Sequence, residues 1–109
     1  MIKGTLIRMK SVLSTVGADF DARALAHALV EARLAACVNI VPAIHSVYRW
    51  EGRVTDDTEQ LLIIKTSESR VEELRTELLA RHPYEVPEFV VMTIETSDAY
   101  GAWILESVR

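Results

Sequence analysis

The chain has 109 residues, 50% hydrophobic and 26% charged, with a formal net charge of −4; that suffices for one ordinary core and is too little for two. Its twelve Lys and Arg residues are scattered, which leaves no basic stripe to neutralise phosphates and excludes nucleic acid as a partner. A lone cysteine, Cys37, excludes an internal disulfide, and no apolar run reaches the roughly 18 residues of a membrane span.

The segment Met1 to Lys10 is interrupted by Lys3, Arg8 and Lys10, so it carries no signal-peptide core. The expectation is a soluble cytoplasmic protein, one domain over residues 1–109, without a membrane partner. Its apolar content is high for a small monomer, which points to burial between subunits.

Leu6 to Val16 reads as a first strand, broken by Gly17-Ala18-Asp19. Asp19 or Asp21 then caps a helix whose apolar residues Phe20, Ala24, Leu25, Ala28, Leu29, Ala32 and Ala36 recur at helical spacing. From Val38 to Trp50 the period changes to two, with Val38, Ile40, Pro42, Ile44, Tyr48 and Trp50 in one parity. Pro42 has no N–H for a ladder, so it marks a bulge or an edge. Glu51-Gly52 is a turn, and Asp56-Asp57 lies in a polar stretch before Gln60 to Thr66, a strand expected to be buried on both faces.

Ser69 and Glu72 have the spacing of a capping box. Val71, Leu74, Leu78, Leu79 and His82 continue at helical spacing until Pro83, which stops the helix at Arg81 or His82. Phe89 to Ile94 forms the fourth strand, and Ser97 or Asp98 caps a short helix carrying Tyr100, Trp103 and Ile104. The order β-α-β-β-α-β with an extra C-terminal helix predicts a ferredoxin-like α/β (α+β) sandwich. Helices would cover one face of its antiparallel sheet. The run Leu61 to Ile64 leaves the other face apolar, and a second copy of the sheet is its expected cover.

The run His82-Pro83-Tyr84-Glu85-Val86-Pro87-Glu88 crowds an imidazole, a phenol and two carboxylates into a turn stiffened by two prolines. It reads as a site or as a polar surface loop. A carboxylate beside His82 would raise its pKa, suiting it to acid–base work, metal binding or a helix C-cap. For metals, the soft or borderline donors are Cys37, His27, His45 and His82, and the hard ones Glu59, Glu85 and Glu88, without any local ligand motif. His27 reads as a solvated or packed helix residue and His45 as exposed. Cys37 reads as a small buried hydrophobe or a thiolate ligand. Lys65, at the end of a buried strand, calls for a carboxylate partner, with Glu88 or Glu85 as the candidates. No serine elbow, Cys–His spacing or glycine-rich phosphate loop is present.

Arg33 to Ile40, Ser46 to Gly52, Leu62 to Thr66 and His82 to Glu88, in that order, with Tyr100 and Trp103, closely resemble the CutA divalent-cation tolerance proteins. The resemblance covers Ala24 to Arg109, with a looser match before it. It implies a ferredoxin-like fold in tight homotrimers, assembled like PII-type signalling proteins, and a link to copper and other divalent cations. Some members take copper on a cysteine ending the first strand and two histidines before the turn proline. Ser14 and Arg81 stand at the first two of those positions here, leaving His82, with Cys37 as the alternative thiolate. The expected assembly adds the hairpin Val47 to Val54 to a neighbour's sheet, with Trp50, Glu59, Lys65, Tyr84 and Glu88 lining a cleft between subunits.

Three functions follow. The first is a homotrimer that binds Cu(II) or another divalent cation without catalysis. The second is a PII-like regulator whose cleft binds a small anionic effector, held by Lys65 and nearby arginines, or a protein partner. The third is a small acid–base enzyme using His82, Glu85 and Tyr84.

Overall fold

The computed structural model describes residues 5–109, so the reading of Met1 to Lys10 lies partly outside the described residues. Strand β1 (Ile7–Gly17) leads into helix α1 (Ala22–Glu31), then strands β2 (Cys37–Trp50) and β3 (Arg53–Thr66). Helix α2 (Val71–Arg81), strand β4 (Val90–Thr96) and helix α3 (Asp98–Ser107) complete the chain. The strands form one antiparallel sheet in the order β2-β3-β1-β4. This is the ferredoxin-like α/β arrangement expected from the element order.

Local chemistry sets the helix ends. The Asp21 carboxylate accepts from the Ala24 N–H at 3.0 Å, closing the first turn of α1. The apolar stripe predicts a helix reaching Ala36, yet α1 stops at Glu31. Arg33 adopts a left-handed φ of 60°, the Leu34 N–H bonds the Leu29 carbonyl at 3.0 Å, and the Arg33 N–H bonds the Val30 carbonyl at 3.0 Å. Those two bonds are a Schellman motif, and buried Leu34 supplies the apolar contact that goes with it. The predicted capping box is absent: Ser69 sits in a 3-10 turn, Glu68–Arg70, ahead of α2, where its hydroxyl meets that of Ser67 at 3.0 Å. At α3 the Ser97 hydroxyl accepts from the Tyr100 N–H at 3.4 Å, as expected.

One face of the sheet packs on α1 and α2. Val12, Val16, Leu62 and Ile64 meet Leu25, Leu29, Leu74 and Leu78, all buried in one cluster. Each such side chain contributes about 1.5–3 kcal/mol on burial. The opposite face is covered at one end by α3, where Ile104 and the C-cap residue Val108 pack with Met9 and Ala36. Burial along β3 alternates, correcting the expected two-sided burial: Leu62, Ile64 and Thr66 are buried while Leu61, Ile63 and Lys65 are half-buried.

The β2–β3 hairpin turns through Glu51 and Gly52, both at positive φ (49° and 79°), the backbone of a type I′ turn. Asp56 and Asp57, in the polar stretch read ahead of the strand, lie within β3 opposite Val47 and Ser46. Between Val41 and Ile44 the register shifts by one residue, the bulge expected at Pro42. Before it Ile40 pairs with Leu62; after it Ile44 pairs with Glu59 and Ser46 with Asp57. Cross-strand partners share a face. The bulge therefore moves Ile44, Tyr48 and Trp50 off the face that Val38 and Ile40 occupy, against the single parity read from the sequence. The hairpin projects far enough that the radius of gyration is 15.3 Å, against about 13 Å for a compact chain of this length.

Candidate functional site

The proline-bounded turn closes over the end of β1. Pairing between β1 and β4 ends at Leu13 and Val90, and beyond it His82 bonds the Thr15 carbonyl through Nε2 at 2.9 Å. A carbonyl only accepts, so Nε2 carries the proton. Nδ1 then accepts from the Tyr84 N–H at 3.1 Å, and the Tyr84 ring stands edge-on at 4.8 Å. Burial holds the imidazole below its ordinary pKa, against the opposing pull of the Thr15 bond and the Glu59 charge. His82 is a neutral clamp on the turn.

That clamp aims Tyr84 at β3, where its hydroxyl donates to Glu59 at 2.5 Å. Glu59 is 7% exposed. Burial first, then the bond and charge of Glu59, push the Tyr84 hydroxyl far above its usual pKa. Glu88 is also raised, by burial and by the Glu59 charge. Out on the hairpin the Tyr48 hydroxyl donates to Asp57, a bond that raises the Tyr48 pKa. Between hairpin and turn lies a cavity of about 740 Å³ walled by Tyr48, Trp50, Asp57, Glu59 and the Pro83–Glu88 segment. Four carboxylates (Asp57, Glu59, Glu85, Glu88) face it with a single guanidinium, Arg49. Such a hollow attracts positive charge and repels anions.

Of the residues expected in a cleft, Trp50, Glu59, Tyr84 and Glu88 come together here, and Lys65 does not. It donates to the Asn39 Oδ1 at 2.5 Å and sits six residues along β3 from Glu59, about 20 Å at strand rise. The expected Lys65 pair with Glu85 or Glu88 is thereby replaced by an amide partner. Cys37 is opposite Lys65 in the sheet, and its thiol donates to the same Asn39 oxygen at 3.6 Å. Cys37 pairs with Lys65, whereas His82 bonds Thr15, whose β3 partner Leu61 is four residues from Lys65 on the other side of β3, about 13 Å at strand rise; the two do not fit a shared copper ion within one chain. His82 would also have to release a backbone partner to ligate. Ser14 is buried opposite Leu62 with no partner for its hydroxyl, facing the helices rather than the cavity. His27 and His45 are both exposed. Among the described residues no three His, Cys, Asp or Glu side chains are grouped to hold a metal ion. Sequence reasoning missed Tyr48 and Asp57 as cavity residues; their signal was Pro42, whose bulge turns the hairpin's aromatic residues to that side.

The fold and site together define an α/β sandwich with PII-like structural neighbours and a cation-attracting hollow beside a rigid turn. The chain belongs to the CutA1 divalent ion tolerance protein family, whose sequence profile matches residues 10–107. It is 48% identical over 97 residues to the divalent-cation tolerance protein CutA of Thermus thermophilus, covering 88% of this chain and 94% of that one. It is 51% identical over 86 residues to the chloroplastic CutA of Arabidopsis thaliana, covering 78% of this chain and 47% of that longer protein. The structure of the PII-like protein CutA from Nostoc sp. PCC 7120 superposes with a TM-score of 0.86 at 33% identity, covering 93% of this chain and 98% of that one.

Proposed function

We propose that the chain is a homotrimeric divalent-cation tolerance protein that acts by binding rather than catalysis. The supporting observation is the acid-lined cavity, four carboxylates against one guanidinium, in a member of the CutA1 family. Carboxylates are general ligands for divalent ions, and among first-row metals Cu(II) binds such sites tightest. In this reading they, and not Cys37 with His82, are the ligands, and a neighbouring subunit or water completes the coordination. The acid–base reading loses its actors: both His82 nitrogens hold backbone groups, and the raised Tyr84 hydroxyl keeps its proton at neutral pH. An anionic effector is opposed by the same carboxylates, with Lys65 out of reach.

Sedimentation at micromolar concentration, followed by calorimetry with Cu(II), Zn(II) and Mg(II), tests both parts. The expected result is a trimer whose cation affinity falls at least tenfold, about 1.4 kcal/mol, when Glu59→Gln and Glu88→Gln are combined, and barely changes in Cys37→Ser. A stably folded monomer, or Cu(II) binding indifferent to the carboxylate pair, overturns the reading.

A further inference from the structure

The cavity beside Tyr84 also has the make-up of a site for an organic cation. Its volume of about 740 Å³ lies within the roughly 300–1,000 Å³ of small-molecule sites and is far larger than a metal ion needs. Aromatic rings form its walls: Tyr48 and Trp50 remain 40% exposed and Tyr84 36%. At its base Glu59 is 7% exposed, its carboxylate held by the Tyr84 hydroxyl. Among the described residues no Lys or Arg forms an ion pair with it.

A buried carboxylate without a counter-ion is costly, and an incoming cation relieves that cost. Within one chain the acidic groups are spread around the hollow rather than grouped on one point, so a metal ion there depends on water or a neighbouring subunit to complete its shell. An ammonium group tolerates that spread, because its three N–H donors point apart and its charge is also stabilised over aromatic faces. We infer that the cavity binds an alkylammonium small molecule, its charged head at Glu59 and its carbon chain along Trp50 and Tyr48. The turn favours this, since the two prolines and the His82 bonds hold Tyr84 in place before any ligand arrives. The inference goes beyond the divalent-cation reading and stands independently of it.

The test is a titration of the intact protein with n-butylammonium and 1,4-diaminobutane, with 1-butanol as the neutral control. It is followed by calorimetry and by the NMR signal of the Trp50 indole N–H. Both amines are expected to saturate the signal at millimolar concentration or below, and the alcohol to leave it unchanged. Glu59→Gln, whose amide oxygen still accepts from Tyr84, weakens amine binding about tenfold, since it removes the buried charge. Should that variant unfold, Trp50→Ala at an exposed position serves instead, read by calorimetry because it removes the indole signal, and is expected to weaken binding several-fold. Equal response to the alcohol, no saturation, or indifference to both substitutions overturns the inference. Cu(II) and Mg(II) titrated in the same samples separate the two readings. Metal binding without amine binding removes only this inference, and amine binding without metal binding removes only the proposed function.

Discussion

His82 shows how a residue that looks reactive in sequence can be fully occupied in the fold. Its Nε2–H holds the Thr15 carbonyl and its Nδ1 holds the Tyr84 N–H, so protonation would set two donors against each other at Nδ1. We predict that His82 titrates below the ordinary histidine value of about 6.5, in line with the lowering caused by burial. Because the unfolded chain takes up this proton first as pH falls, the contribution of His82 to stability is present above about 6.5 and is lost below it. Glu88, with its raised pKa, acts in the opposite sense: what it contributes at acid pH is lost as pH rises through its folded value. An NMR titration of the imidazole checks the first statement, and a midpoint at or above 6.5 refutes it. The sequence displayed the ingredients of the site, since Tyr84 and Glu88 stand in one seven-residue run. It hid their assignments. Thr15 is 67 residues from His82, and no local pattern announces that a main-chain carbonyl there needs a donor. Charge alone groups Lys65 with the carboxylates, whereas the sheet register pairs it with Ser11 and Cys37.

Elements were read correctly where their period was undisturbed and misread where one residue broke it. The α1 stripe continues to Ala36 in sequence, but Arg33 takes the left-handed conformation that usually falls to glycine, so no composition signal marked the stop. Replacing it should help. Arg33→Gly is expected to stabilise the fold by about 1 kcal/mol, removing the cost of a Cβ at positive φ. The loss of the long 3.5 Å bond from its guanidinium to the Ser107 carbonyl is a small offset. Denaturant unfolding at fixed protein concentration measures this, and a lower midpoint would count against the Schellman account. The Pro42 bulge had the reverse history. The missing N–H marks the bulge in the sequence but not its consequence for parity, because the alternation of residue types runs straight through it. One extra residue decides whether Tyr48 and Trp50 wall the cavity or lie on the other face.

On the scale of the molecule, the exposed apolar surface calls for an account. Val47 and Val54 on the hairpin are 67% and 68% exposed, Val90 and Met92 on β4 45% and 40%, and Trp103 on α3 46%. Scattered apolar side chains on a surface need no explanation, but Val47 and Val54 sit on the hairpin, and Val90 and Met92 pair with Leu13 and Ser11 on the sheet face turned away from α1 and α2. The hairpin projects from the body, and β2 and β4 are the sheet edges, where unpaired backbone groups await a partner. In the proposed trimer the hairpin of each subunit extends a neighbour's sheet and buries these side chains. A charge placed on the hairpin then has two different costs. In a lone chain Val47→Glu with Val54→Glu leaves both carboxylates in water, and stability changes by no more than about 0.5 kcal/mol. In the assembly the same carboxylates would be buried unpaired, at several kcal/mol for each interface. The double variant is therefore expected to sediment as a folded monomer with native circular dichroism, and the melting temperature of the parent, unlike that of the variant, to rise with protein concentration. If the variant sediments as the parent does, the hairpin is not the assembly element, and the cover for the exposed edges must be sought at β4 and α3.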